Sequence, residues 1–473
     1  MIWLTACGEA PVPLSPVDGS ARVQVVVGAD EQTVLSRTFV VSATAPVEGE
    51  LVCVSPADPL EDHHLPFAGT AGVLRLDGLL ADTPYDCELG SSWSGSFRTD
   101  PLPEGMPVLR VSGDRELASS DEGYVLFGHW KLGEAYPEVQ RQILVDGDGR
   151  VRWYLGFPDA RTGGVAGQWG DGWVVAGGGQ GLSPGVWTRA GAPLFQVPEA
   201  VQADPGYHHE AFLTADGWLV TLQGVDNSGG GLSFIGFRVE ATDPATGVVE
   251  WSFDSQLWVD AGVLPLPEGD DLDPYHANAV SWVDDDPEGP AVWVSLRGLQ
   301  RLMRIDRITG EVTGFLGSGA GGKLLGRDGE VLPDPAWFWG QHAPEFRGED
   351  LWVYDNGASR PGTQQVSRVM WLRRLDPENT QLLWEWSEPG WYEPNFGSVN
   401  ALPDGHVLVG TGHCADCGDP GDVAWIAEID PTTNAVVWRF DFTRDDDTLY
   451  RAAPVDGCSL PNRRYCRSSD GGP

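Results

Sequence analysis

LVDGDGRVRWYLGF (144–157), ATDPATGVVEWSFD (241–254), RIDRITGEVTGFLG (304–317), RLDPENTQLLWEWS (374–387) and EIDPTTNAVVWRFD (428–441) are variations on one phrase. Each sets a turn rich in Asp, Gly, Thr or Asn between two alternating apolar runs, which is the pattern of a β-hairpin. A weaker copy, VWTRAGAPLFQVP (186–198), lies in the long gap between the first two and brings the count to six. Ahead of most copies stands a second hairpin signal: GDGWVVAG (170–177), ADGWLVTL (215–222), AVWVSLRG (291–298), EDLWVYDN (349–356) and PDGHVLVG (403–410). Two hairpins make four strands, and copies spaced by roughly 43 to 70 residues read as the blades of a propeller with the excess length in loops. The expected fold is therefore all-β, a six-bladed β-propeller over 105–473 that ends in a cysteine-bearing tail.

Composition agrees. The chain has 473 residues, 41% of them hydrophobic, with 62 Gly, 36 Pro and 21 Trp, which suits many short strands and tight turns. Lys plus Arg number 30 against 69 Asp plus Glu, a net charge of −39. So acidic a surface argues against nucleic acid or an anionic membrane as partner, and any anionic substrate needs local positive charge to hold it. No apolar run reaches the length of a transmembrane helix.

The start, MIWLTAC (1–7), ends in Leu4-Thr5-Ala6-Cys7 and resembles a truncated bacterial lipoprotein signal with its lipobox. The resemblance implies lipidation at Cys7, a tether over 8–20, and an exported protein, periplasmic or anchored at the outer membrane. The basic region and most of the apolar region of such a signal are missing, as when a start codon is assigned too far downstream. Six further cysteines, Cys53, Cys87, Cys414, Cys417, Cys458 and Cys466, form an even set. In an exported chain they are disulfide candidates, with Cys53 and Cys87 isolated near the N-terminus and the other four open to several pairings or to zinc.

Residues 21–104 form a separate module of short alternating runs. LDGLLADTPYDCEL (76–89) resembles a fibronectin type III domain, which implies an immunoglobulin-like β-sandwich with Tyr85 as its tyrosine corner. His63 and His64 in DPLEDHHLPF read as a solvated loop.

Chemistry concentrates where the innermost strands of the blades begin. YHHEAF (207–212), YHANAV (275–280), GQHAPEF (340–346) and FGSVNAL (396–402) open these strands, and the strands that follow end near Arg297, at DNGASR (355–360) and at GTGHC (410–414). This spacing brings His209, His276, His342, Arg360 and His413 toward one mouth, with Asn278 and Asn400 as neutral partners. Such a set can process an anionic ester: a neutral imidazole can attack it, a second imidazole can move the proton, and a guanidinium fork can hold the oxygens of the anionic group.

The His-Ala-Asn-Ala-Val run at 276–280, Gln341-His342, Asp355-Asn356-Gly357 followed by Arg360, a late histidine and Tyr450-Arg451-Ala452 together resemble the bacterial PAPS-independent arylsulfate sulfotransferases. The resemblance implies a six-bladed propeller behind an N-terminal β-domain, an exported enzyme that needs no metal or nucleotide cofactor, and sulfuryl transfer from a phenolic sulfate ester to a phenol through a sulfohistidine. By position it implies His413 as the sulfated nucleophile, His276 and His342 as proton-handling and sulfate-binding groups, and Arg360 as oxyanion clamp. His276 or His342 can also hold the nucleophile's role. His209, Asn278, Asn356 and Arg297 are expected to bind substrate. Trp337, Trp339, Trp391 and Tyr392 precede inner strands and are candidates for an aromatic-binding mouth. Two other classes fit the same residues: a metal-dependent propeller lyase or hydrolase with His208, His209, His276 and His342 as ligands, and a non-catalytic surface-tethered binding protein.

Overall fold

The computed structural model describes residues 22–29, 33–114, 122–131, 140–157, 167–170, 172–176, 183–198, 206–268, 271–362, 365–412 and 424–462. Cys7, the tether at 8–20, His413, Cys414, Cys417 and Cys466 lie outside them. Among the described residues the fold is all-β, with one short α-helix, Ser255–Asp260, and a few single 3-10 turns. No helix is long and apolar enough to cross a membrane.

The recurring phrases fold as the outer hairpins of successive antiparallel sheets. Gln140–Asp146 pairs with Val151–Phe157, Leu232–Thr242 with Val249–Asp254, Arg301–Asp306 with Val312–Gly317, Arg368–Asp376 with Asn379–Trp386, and Trp425–Asp430 with Ala435–Phe442. The weak copy does the same, through Gly185–Thr188 and Pro193–Gln196. Their turns close because the leading Asp carboxylate accepts backbone N–H groups two or three residues on, as Asp306 does from Ile308 and Thr309 at 2.9 and 2.8 Å. Alternate residues then enter the layers between sheets, where Trp384 and Trp438 are buried and Trp251 is half-buried.

Among the described residues, six such sheets of four or five strands accompany the N-terminal one. Their innermost strands are Gly167–Gly170, Tyr207–Leu213, Ala277–Val283, His342–Arg347, Ser398–Ala401 and Asp447–Asp456. Each touches the next, and the last touches the first, so the strands surround a common axis in a propeller-like ring. Closure is made by residues far apart in the chain: Asp447–Asp456 lies against Glu122–Lys131, which continues into the hairpin of 140–157. Leu109–Gly113 adds a fifth strand to the sheet of 398–442.

The N-terminal module differs from a simple two-sheet sandwich. Its five strands share one hydrogen-bonded network, built on a long hairpin of Ser36–Ser55 with Asp58–Asp77. A break in register between Ser42 and Val47 lets these 20-residue strands bend, so that Phe39 and Val41 from one half and Leu51 and Cys53 from the other enclose one core. Cys53 and Cys87 face each other across paired strands and form a disulfide. Cys458 is also disulfide-bonded. The Tyr85 hydroxyl accepts the backbone N–H of Leu80 at 2.8 Å, the hydrogen bond expected of a tyrosine corner.

His63 is not in a solvated loop: it is fully buried on the second long strand, beside Glu61. Glu61 receives both terminal nitrogens of Arg152 at 2.6 Å, and Arg152 Nε reaches Asp146 at 2.6 Å. This buried ion network joins the N-terminal module to the ring. Removing one member strands a charge, a loss of about 3–5 kcal/mol for such pairs.

Candidate active site

Four of the six innermost strands break register near their start. The breaks fall between Tyr207 and Ala211, Ala277 and Ala279, His342 and Glu345, and Leu449 and Ala452. A bulge of this kind re-aims side chains that a regular strand would send into the sheet layers. His209, His276 and Ala343 carry positive φ values of 65°, 40° and 43°, a region non-glycine residues seldom adopt and one that recurs at functional sites. Gly298 holds the second strand close by: a Cβ there would sit 2.3 Å from the carbonyl oxygen of Pro274.

The repeated distortion gathers rings. His209 and His276 have centroids 5.7 Å apart; Tyr450 lies 5.6 Å from His209 and 6.3 Å from His342; Phe396 lies 6.0 Å from Tyr450. Each imidazole has a distinct partner. His209 Nδ1 is 2.7 Å from the Tyr450 hydroxyl, and His276 Nδ1 is 2.7 Å from Oδ2 of Asp273. The His276 side chain is 36% exposed.

His342 is buried and its Nδ1 faces two acceptors, Asn356 Oδ1 at 2.7 Å and the Gly340 carbonyl at 3.1 Å. The amide of Asn356 cannot turn round, because its nitrogen donates to the carbonyls of Glu393 at 2.6 Å and Phe396 at 2.9 Å. Nδ1 therefore carries the proton and Nε2 the lone pair. Burial, and after it the charge of Arg297, pushes His342 well below the ordinary histidine range and keeps the ring neutral.

The positive charge beside this ring comes from Arg297 and Arg451. Arg297 donates to the Pro394 carbonyl at 3.1 Å and to Asn395 Oδ1 at 3.4 Å, makes no ion pair among the described residues, and has a buried Nε without a partner. Arg451 is neutralised by Glu210 at 2.6 Å and also donates to the Asn278 carbonyl at 3.0 Å. Beneath this pair, on the axis, is a cavity of about 510 Å³ lined by Glu210, Phe212, Trp282, Glu345, Asn400 and Arg451.

Of the residues expected from sequence, His209, His276, His342, Asn278, Asn356 and Arg297 come together. Asn356 spends its amide on His342 and two carbonyls, and Asn278 donates to the Gln341 carbonyl at 2.8 Å while its buried Oδ1 is left without a partner. Arg360, expected as the clamp, is ion-paired with Asp355, which also holds Arg368 at 2.7 Å. Asn400 lines the lower cavity, and its nitrogen donates to the Ala452 carbonyl at 2.8 Å. Trp337 and Trp391 are buried in the layers between sheets, so they do not form an aromatic mouth. The side chain of His208 lies outside the described residues. Among the described residues, one group of ligand-type side chains is compact enough to share an ion, Asp404, His406 and Glu428, and none of the site histidines belongs to it.

Tyr450, Arg451, Glu210 and Asp273 were not singled out as site residues. Tyr450-Arg451 and Glu210 sit in bulges at the same strand position as the histidines, and Asp273 stands three residues before His276, a spacing that sequence could have offered as a signal.

The site and the ring define an all-β, propeller-like protein with a buried neutral imidazole beside two guanidinium groups. The arylsulfotransferase (ASST) family model matches residues 130–451, and the chain belongs to that family. Membership supports arylsulfotransferase activity in general. No curated protein matches the chain. Among solved structures it is similar to a protein of unknown function from Bacteroides caccae, with 12% identity over 71% of this chain and 99% of that one and a TM-score of 0.44. It is also similar to apo AztD from Citrobacter koseri, with 10% identity over 92% and 98% and a TM-score of 0.29. Likenesses so distant carry no function.

Proposed function

We propose that this protein is an arylsulfate sulfotransferase that works by a ping-pong mechanism, with His342 as the residue that carries the sulfuryl group. The observation that supports this most directly is the fixed tautomer of His342, whose Asn356 partner leaves Nε2 unprotonated at neutral pH. His413 was the residue expected in this role and lies outside the described residues.

In the first half-reaction the Nε2 lone pair attacks sulfur as the S–O bond to the aryl group breaks. The developing positive charge on the imidazole is shared with Asn356 Oδ1 and the Gly340 carbonyl through the Nδ1 proton. Arg297 holds the sulfonyl oxygens, where its charge is not already spent on a carboxylate. His276, oriented by Asp273, protonates the leaving phenolate through Nε2. It then takes the proton from the acceptor phenol as that oxygen attacks sulfur and the N–S bond breaks. The N–S bond made in the first half is broken in the second, and the proton given to the departing phenol is replaced by the one taken from the acceptor, so the enzyme ends as it began.

In this reading the ring is a six-bladed propeller and residues 21–104 are a fibronectin type III-like spacer. The bent single sheet makes the latter a looser fit than sequence suggested. The disulfide Cys53–Cys87 accords with an exported protein. The lipid tether at Cys7 and a periplasmic or outer-membrane place belong to the same proposal.

Incubation with a chromogenic aryl sulfate, followed by intact mass and peptide mapping, tests it. A sulfuryl adduct on His342 that an added phenol discharges is the expected result. An adduct on another histidine would move the nucleophile, and absence of both adduct and phenol release across several donors would remove the sulfotransferase reading.

A further inference from the structure

The loop of Glu393, Pro394, Asn395 and Phe396 holds both halves of the site. Its Glu393 and Phe396 carbonyls fix the Asn356 amide, and hence the tautomer of His342. Its Pro394 carbonyl and Asn395 side chain hold Arg297. The loop in turn is shaped by one buried carboxylate: Glu393 Oε1 accepts the backbone N–H groups of Asn395 at 2.8 Å and Phe396 at 3.1 Å, pulling the chain into a tight turn. Ser367 pins the same residue from outside, with its hydroxyl accepting the Glu393 N–H at 2.8 Å.

We propose that Glu393 is a positioning residue that couples the nucleophile's support to the anion clamp, and that gain or loss of its charge adjusts how tightly Arg297 holds a sulfate ester. The inference rests on the sulfotransferase reading of the site. The charged and titratable groups that bear on Glu393 are Arg297, Tyr354 and Tyr392, so the guanidinium is its one cationic neighbour among the described residues. An ionised Glu393 draws on the field of Arg297 and competes with a bound anion; a protonated Glu393 leaves that field to the substrate. Burial pushes its carboxyl up to about 7, which puts the exchange at neutral pH. The acceptor function of Oε1 is the same in both states, so the loop keeps its shape while the charge changes.

The two functions separate in two variants. Glu393→Gln keeps the acceptor and removes the charge. KM for an aryl sulfate in the wild type is expected to rise severalfold between about pH 6 and about pH 8, and in Glu393→Gln to lose that pH dependence. Glu393→Ala removes the acceptor and is expected to lower kcat at every pH, by about 10-fold or more. An identical rise of KM with pH in Glu393→Gln, or an unchanged kcat in Glu393→Ala, overturns the proposal.

A second measurement does not need turnover. Side-chain nitrogen NMR of His342, assigned by its loss in His342→Gln, reports the tautomer and its surroundings. The expected result is a pH-dependent shift near neutrality that is absent in Glu393→Gln, and the same shift in both proteins would count against the coupling. If the wild type releases no phenol from any donor, the sulfotransferase reading fails, and the NMR result still decides whether Glu393 governs the His342–Asn356 pair.

Discussion

Nδ1 of His342 lies 2.7 Å from Oδ1 of an Asn356 whose own amide nitrogen is bound to two backbone carbonyls. A side chain with no charge thus sets which nitrogen of the imidazole carries the proton. His342→Gln is expected to abolish both phenol release and the sulfuryl adduct. Asn356→Ala leaves the ring in place but frees its tautomer, and is expected to lower the rate of the donor half-reaction by about 10²-fold, the scale of a lost proton-placing group. Stopped-flow release of a chromogenic phenol reads both.

The two arginines expected at the site are distinguished by their partners. Arg297 has only neutral acceptors among the described residues, so Arg297→Ala is expected to reduce kcat/KM by about 10²–10³-fold, as for a lost oxyanion donor. Arg360 balances Asp355, and Arg360→Ala leaves that buried carboxylate to Arg368 alone. Its expected signature is a lower melting temperature with a smaller kinetic effect. Steady-state kinetics and calorimetry on the two proteins separate these outcomes.

Acid stability follows from histidines held neutral. Burial, the largest cause in each case, pushes His63, His129 and His342 below the ordinary value of 6.5. Below that pH the unfolded chain binds protons that the folded one excludes, so stability is full above about 6.5 and is lost as the pH falls. Glu393, raised to about 7, acts in the opposite sense: its contribution is present at low pH and is lost as the pH rises through neutrality. Denaturant unfolding of His342→Gln between pH 7 and pH 5 is expected to show a shallower acid slope, by up to about 1.4 kcal/mol per pH unit for the one proton removed.

Net charge governs how the substrate arrives. With −39 on the chain and the cationic groups recessed among the bulges, an anionic donor meets long-range repulsion before it reaches Arg297. Raising ionic strength from about 0.01 M to about 0.15 M shortens the screening length from about 30 Å to about 8 Å and is expected to raise kcat/KM for a sulfate monoester. The rate of discharge by a neutral phenol is expected to change little. A donor whose kcat/KM falls with salt would contradict the account.

The hairpin phrases were legible because turn chemistry is local: an Asp carboxylate that caps N–H groups two and three residues ahead, as Asp306 does, writes its partners into a short stretch of sequence. The placing of His209, His276, His342 and Arg297 at equivalent strand ends was legible for the same reason, as a matter of repeat position. What each does was not. Arg360 and Arg297 look alike in sequence, and only the tertiary placement of Asp355 tells the guanidinium paired with a carboxylate from the one held by neutral acceptors. The bend of the N-terminal strands escaped because alternation continues on both sides of the register break at Ser42 and Val47, so the pattern does not mark where one layer becomes the other.

The sheet that closes the ring has a consequence for any assay of folding. Tyr450 and Arg451 are carried by the strand Asp447–Asp456, which reaches its place only by joining Glu122–Lys131. An open ring therefore lacks the hydroxyl beside His209 and the guanidinium beside Glu210, however well its other sheets have formed. Completeness of the site is in this sense a gauge of circular closure: only sealed molecules hold these groups together, and a spectroscopic signal for strand content counts sealed and unsealed ones alike.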